Sequence, residues 1–145
     1  MRHRPTSSSA RRSRGFTLVE LLVVLAILGL LAGLVGPRVL GQLGGAKSKS
    51  AVVQIRDLEQ AAELFKLDVG RFPTTQEGLA ALVSAPPGAA GWNGSYLRKG
   101  LPTDPWGHEY HYEAPGRNGD IDIYTLGADN APGGEGENAD IGNWQ

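Results

Sequence analysis

Gly15-Phe16-Thr17-Leu18-Val19-Glu20-Leu21-Leu22-Val23-Val24-Leu25-Ala26-Ile27-Leu28-Gly29-Leu30-Leu31-Ala32-Gly33-Leu34-Val35 is the stretch that decides how the rest of this chain is read. From Phe16 to Val35 only Thr17 and Glu20 are polar. Twenty residues at helical rise cover about 30 Å, the thickness of bilayer hydrocarbon, so the segment can span a membrane. Its front flank carries Arg2, Arg4, Arg11, Arg12 and Arg14 and no acid, whereas behind it only Arg38 precedes Lys47. That asymmetry leaves residues 1–15 in the cytoplasm and exports the remainder. A removable secretory signal shows the same basic-then-apolar order, and Ala32 and Gly33 are small enough for its cleavage site. Glu20 argues against it. A carboxylate inside an apolar run costs about 2.5 to 3.5 kcal/mol, and a disposable signal gains nothing from carrying one.

Within the apolar segment, Gly29-x-x-x-Gly33 offers a small-residue face, a weak signal because glycine is common in membrane helices. Pro37 removes a helical hydrogen bond and crowds the carbonyl of Gly33, which predicts a kink or a locally melted turn. From Ala46 to Val69, Val52, Ile55, Leu58, Ala62, Phe65 and Val69 recur at steps of three and four, opposite a charged face of Arg56, Asp57, Glu59, Glu63, Lys66 and Asp68. One long helix from Phe16 to about Val69 is expected, ended by Gly70, its first half in lipid and its second packed on a globular head. Thr74-x-x-Glu77 reads as a capping box opening a short helix from Thr75 to about Val83, and Pro86-Pro87 stops it. After a Pro- and Gly-rich loop anchored by Trp92, strands are expected over His108 to Tyr112 and Asp120 to Leu126, joined by a turn at residues 115–119. In the second strand Ile121 and Ile123 alternate with Asp122 and Tyr124 as in a half-buried strand. The fold class is therefore α+β, a long helix on a small antiparallel sheet.

The chain has 145 residues, enough for one modest domain with an appendage. It lacks cysteine, which excludes a disulfide framework and thiolate metal sites. Its net charge is −1, but after Arg117 there is no Lys or Arg, while Asp120, Asp122, Asp129, Glu135, Glu137 and Asp140 supply carboxylates. For a hydrolase the exported region offers few serines and no nucleophile elbow, and His108 and His111 fall on opposite faces of a strand, unsuited to sharing a metal.

Gly15 to Leu22 after a basic leader resembles the type IV prepilin signature. That resemblance implies cleavage between Gly15 and Phe16 by a prepilin peptidase, N-methylation of Phe16 by the same enzyme, and retention of the apolar helix as a filament core. The pattern makes physical sense. Glycine leaves the backbone open to a peptidase, and the arginines hold the bond at the cytoplasmic face. A carboxylate buried among parallel helices needs a cation, and the new terminal amine of an adjacent subunit can pair with Glu20 and set the axial stagger. Glu20 snorkelling to the headgroups is the competing reading, suited to the stored subunit. Removing the leader leaves nine basic against fifteen acidic residues, a net charge of −6, which opposes nucleic-acid binding.

Residues 126–144 form a Gly-rich loop too long to order itself by burial, and calcium prefers several hard oxygens presented by a flexible wrap. Asp129, Asn138 and Asp140 fit such a role, though the spacing is not that of an EF-hand, and a mobile acidic loop is the plainer alternative. Ile141 and Trp144, apolar residues closing the loop, argue for a tethered loop and hence a clasp. Phe72-Pro73-Thr74-Thr75-Gln76-Glu77-Gly78-Leu79, Asp104-Pro105-Trp106-Gly107, Thr125-Leu126-Gly127-Ala128-Asp129 and Asp140-Ile141-Gly142-Asn143-Trp144 resemble the major pseudopilins of bacterial type II secretion, from Gly15 to the end of the chain.

This family resemblance implies a pilin-like ladle: leader 1–15, transmembrane and filament-core helix 16–40, and periplasmic domain 41–145. It also implies Ca2+ held by the backbone carbonyl of Leu126 and the carboxylates of Asp129 and Asp140. Some relatives have an acid where this chain has Ala139, so a further ligand comes from Asn138, the carbonyl of Ala131, Glu135 or Glu137. The implied function is that of an inner-membrane, single-pass subunit that assembles into a helical homopolymer in the periplasm. Minor pseudopilins and an inner-membrane assembly platform are its partners, and a cytoplasmic ATPase powers the export of folded proteins. A type IV pilin of a surface pilus is the alternative. Many such pilins carry a disulfide loop that this chain cannot make.

Overall fold

The computed structural model describes residues 15–145; the basic leader lies outside the described residues, apart from Gly15. Helix α1 runs from Leu18 to Val69. Its start is a reciprocal capping box. The Glu20 carboxylate accepts the Thr17 N–H at 2.9 Å, and the Thr17 hydroxyl accepts the Glu20 N–H at 3.2 Å, which satisfies two amides that no helical carbonyl reaches. Its end is set by Gly70, with φ of 87° and an N–H to the Lys66 carbonyl at 2.8 Å. Pro37 lies inside α1 without breaking it, so the expected melted turn is absent. Proline deletes a single bond of the ladder, and the helical run on each side of it is long enough to carry on.

The chain divides into an amino-terminal unit ending at Val39 and a globular unit from Leu40 to Gln145. In the first, every described residue through Val35 is exposed, including the leucines, isoleucine and valines of the apolar run. One helix of the described residues is thus long and apolar enough to cross a membrane.

In the globular unit α1 buries Ala51, Ile55, Leu58, Ala61, Ala62 and Phe65, with Val52 and Val69 at the edge, in close agreement with the stripe read from periodicity. These pack on Leu79, Leu82, Tyr110, Tyr112, Ile121, Ile123 and Ile141. Three short strands form an antiparallel sheet in the order β1 (His111–Glu113), β2 (Asp122–Thr125), β3 (Ile141–Gly142). The pairings are His111 with Tyr124, Tyr112 with Ile123, and Thr125 with Ile141.

Three local expectations are corrected. The Thr74–Glu77 box forms, with the Thr74 N–H on Glu77 at 2.8 Å and the Glu77 N–H on the Thr74 hydroxyl at 3.2 Å. The helix expected over Thr75 to Val83 is instead a turn followed by a 3-10 helix, Leu79–Leu82, because Gly78 takes φ of 60° and interrupts the α conformation. Strand β1 starts at His111 and not at His108, since residues 104–108 are held in a turn. The alternation in β2 fails at Asp122, which is buried: its carboxylate accepts the N–H groups of Arg117 and Asn118 and the Asn118 side-chain amide, closing the turn between β1 and β2.

Candidate functional sites at the amino-terminal cap and the carboxy-terminal loop

Gly15 and Phe16 precede α1 in non-helical backbone, and both are exposed. Among the described residues nothing stands within 4 Å of the place a Gly15 Cβ would take. Glu20 is both the acidic partner of the capping box and a negative charge in the first turn, where the helix dipole favours it. The Thr17-x-x-Glu20 spacing carries this signal in the sequence itself.

The carboxy-terminal loop leaves β2 at half-buried Leu126 and buried Gly127. Gly127, at φ of 74°, lies so close to the backbone of residues 137–139 that a Cβ would stand 2.7 Å from the Glu137 carbonyl oxygen. The Ala128 N–H donates to that same oxygen at 2.8 Å, tying the two ends of the loop together. Asp129 is exposed, and its Oδ1 accepts the Ala131 N–H at 3.2 Å. Asp140 reaches across the loop, its Oδ2 accepting the Gly133 N–H at 3.0 Å. Its Oδ1 is buried and has no partner among the described residues. Asn138 belongs to a 3-10 turn, Gly136–Asn138, and its N–H donates to the Glu135 carbonyl at 3.1 Å. Glu137 turns its side chain onto Gly44 of α1. Among the described residues no three acidic or histidine side chains converge as a metal cage, so a cation in this loop depends on backbone and amide oxygens beside one or two carboxylates. Of the two closing residues, Ile141 is buried in β3, whereas Trp144 is 42 % exposed and covers Gly142 beside Tyr124.

Beside the start of the loop lies a buried polar anchor. Asp104 is buried, and its Oδ1 accepts the N–H groups of Trp106 at 3.0 Å and His108 at 2.8 Å. Its Oδ2 accepts the Thr125 hydroxyl at 2.5 Å, and the Thr125 oxygen in turn accepts the Gly127 N–H at 3.2 Å. The chain Asp104, Thr125, Gly127 positions the backbone on both sides of Leu126. Asp-Pro-x-Gly is a recognisable turn signal, so the turn was legible, though its long-range partner was not. Burial and the Asp104 charge raise the pKa of Tyr110 above the ordinary phenol range, and its hydroxyl donates to Gln54 on α1. The two histidines have separate surroundings: His108 Nδ1 is 3.7 Å from Asp104, and the His111 ring stacks on Tyr124 at 4.9 Å.

A long, exposed apolar helix entered through a capping box, followed by a small antiparallel sheet, defines a pilin-like subunit. A model of the prokaryotic N-terminal methylation motif matches residues 10–36, and the model of type II secretion system protein G matches residues 38–144. Type II secretion system core protein G of Vibrio cholerae is 49 % identical over 137 residues, covering 92 % of this chain and 93 % of that protein. Its counterpart in Pseudomonas aeruginosa is 47 % identical, covering 92 % and 96 %. The crystal structure of the major pseudopilin from the type 2 secretion system of enterohaemorrhagic Escherichia coli superposes with a TM-score of 0.63 at 38 % identity, covering 72 % of this chain and 92 % of that one. This chain belongs to the type II secretion system protein G family, which sets aside the surface type IV pilin reading.

Proposed function

We propose that this chain is the major structural subunit of a type II secretion pseudopilus and has no catalytic role. It is stored in the inner membrane with residues 1–15 in the cytoplasm, cut after Gly15, N-methylated at Phe16 and polymerised in the periplasm to drive folded proteins across the outer membrane. The observation that carries this is the methylation motif over residues 10–36 together with a Gly15–Phe16 bond lying exposed ahead of α1. In the stored subunit the Glu20 carboxylate caps its own helix. In the filament it exchanges that contact for the terminal amine of a neighbouring copy, a charge-assisted bond that is stronger where water is excluded. Minor pseudopilins and an inner-membrane assembly platform receive the processed subunit. Intact-mass and amino-terminal analysis of the membrane-extracted protein, with and without prepilin peptidase, tests the reading. A methylated Phe16 start is expected, whereas an uncut chain or a start after Ala32 or Gly33 refutes it.

The same reading gives the carboxy-terminal loop a calcium ion. Asp140 Oδ1, buried and without a partner among the described residues, supports it, because a buried carboxylate oxygen left unpaired is costly and a hard cation removes that cost. Asp129, the carbonyls of Leu126 and Ala131 and the side-chain oxygen of Asn138 are the further donors, with Asn138 in the role that Ala139 cannot fill. When bound, calcium supplies cross-linking of the loop and no chemistry of its own. Chelation is expected to lower thermal stability and filament yield, and unchanged values in chelator refute this part.

A further inference from the structure

Glu137 links the carboxy-terminal loop to α1 in a way that neither membrane insertion nor cation binding explains. Its Cγ and Cδ lie against Gly44, where a Cβ would collide with both and stand 2.8 Å from Oε1. Gly44 is the first buried residue of α1, between exposed Leu43 and exposed Gly45. Through its backbone, Glu137 also accepts the Ala128 N–H and contacts the Cα side of Gly127. One residue therefore touches the start of the loop with its carbonyl and the helix with its side chain.

The helix needs such support at this place. Gly41, Gly44 and Gly45 fall within five positions, the densest glycine cluster in α1, and glycine is the poorest helix former after proline. Core side chains begin only at Ala51, so residues 41–48 gain little from burial. We propose that Glu137 is a strut seated in a socket made by Gly44, and that the order of the carboxy-terminal loop thereby sets the stability of α1 over residues 41–48. Glycine at 44 is required to admit the side chain, although alanine would make a better helix. A second consequence rests on the calcium reading above: a cation that orders the loop also tightens residues 41–48.

Hydrogen–deuterium exchange on the full chain in detergent tests the strut, first in chelator so that the cation plays no part. Glu137→Ala is expected to speed exchange over 41–48 by about fivefold while protection over 51–65 stays at the wild-type level, showing an intact core. Glu137→Gln keeps the stem and is expected to behave as wild type. Gly44→Ala gives the decisive comparison. It improves helix propensity, yet by unseating Glu137 it should speed exchange over 128–140. Wild-type exchange over 41–48 in Glu137→Ala, or over 128–140 in Gly44→Ala, overturns the proposal. With calcium added, wild type should slow in both segments and Glu137→Ala in the loop alone. Equal slowing of 41–48 in the two proteins also overturns the strut. A wild-type loop that ignores calcium refutes the calcium reading and the second consequence, leaving the strut to the chelator comparison.

Discussion

Replacing Asp104 should be among the most damaging single changes to the globular unit. Asp104 is 3 % exposed, and its carboxylate accepts three hydrogen bonds, from the Trp106 and His108 amides and the Thr125 hydroxyl. Hydrogen bonds to a charged group contribute about 1.5 to 3 kcal/mol each, but removing the carboxylate also relieves its own desolvation. Trp106 and His108 are half-buried, so water reaches their amides in part, whereas Thr125 is 1 % exposed and its hydroxyl is stranded. Taken together, Asp104→Ala is expected to cost about 3 kcal/mol, a fall in Tm of roughly 12 to 24 °C for a domain of this size. Asp104→Asn keeps Oδ1 for the two amides and turns an N–H toward the Thr125 oxygen, which has a second lone pair beside the Gly127 N–H. It should cost about 1 kcal/mol. Thermal unfolding of the full chain in detergent, followed by tryptophan fluorescence from nearby Trp106, measures both. A loss below about 0.5 kcal/mol in the alanine variant, or an asparagine variant less stable than the alanine one, would mean that Asp104 does not anchor Thr125.

Phe65, fully buried and edge-on to Tyr96, should cost about 3 to 5 kcal/mol as Phe65→Ala, read by the same unfolding assay. Glu77 gives a pH signature. The Arg71 guanidinium, and after it the Thr74 N–H, hold its carboxyl down to about 2 from 4.5. Because the folded-state value is depressed, the stabilisation is fully present above about pH 4.5 and is lost as pH falls toward 2; Glu77→Gln should flatten that part of an acid-unfolding curve and leave neutral pH behaviour nearly unchanged. Asp140→Asn should abolish any stabilisation by calcium while leaving the Gly133 contact available, checked by Tm with and without the ion.

The helical stripe of Ile55, Leu58, Ala62 and Phe65 was legible because a 3.6-residue period is a local property, and so were the apolar span, the flanking arginines and the break at Gly70. What failed were places where a local signal competed with a distant partner. Thr74–Glu77 promised an α-helix and delivered its cap, but Gly78 turned the chain away to seat Leu79 and Leu82 in the core. Asp122 sat where alternation expects a solvent-facing residue, yet it is buried because two amides and a side-chain amide in the preceding turn need an acceptor. Strand β3 is two residues long, too short to leave a pattern, and exists because Ile141 meets Thr125 across the sheet.

Residue order alone determined the apolar run long enough to cross a membrane, the arginines in front of it, the methylation motif that covers Gly15 and Phe16, and the length of the helix that follows, since each depends on composition or on neighbours within a few turns. It took the folded packing to bring Asp104 to Thr125, to bury Asp140 Oδ1 without a partner among the described residues, and to rest Glu137 on Gly44. The Asp104–Thr125 and Gly44–Glu137 contacts join residues 21 and 93 positions apart, and a buried polar group takes whichever partner the fold brings within about 3 Å, whatever their separation along the chain.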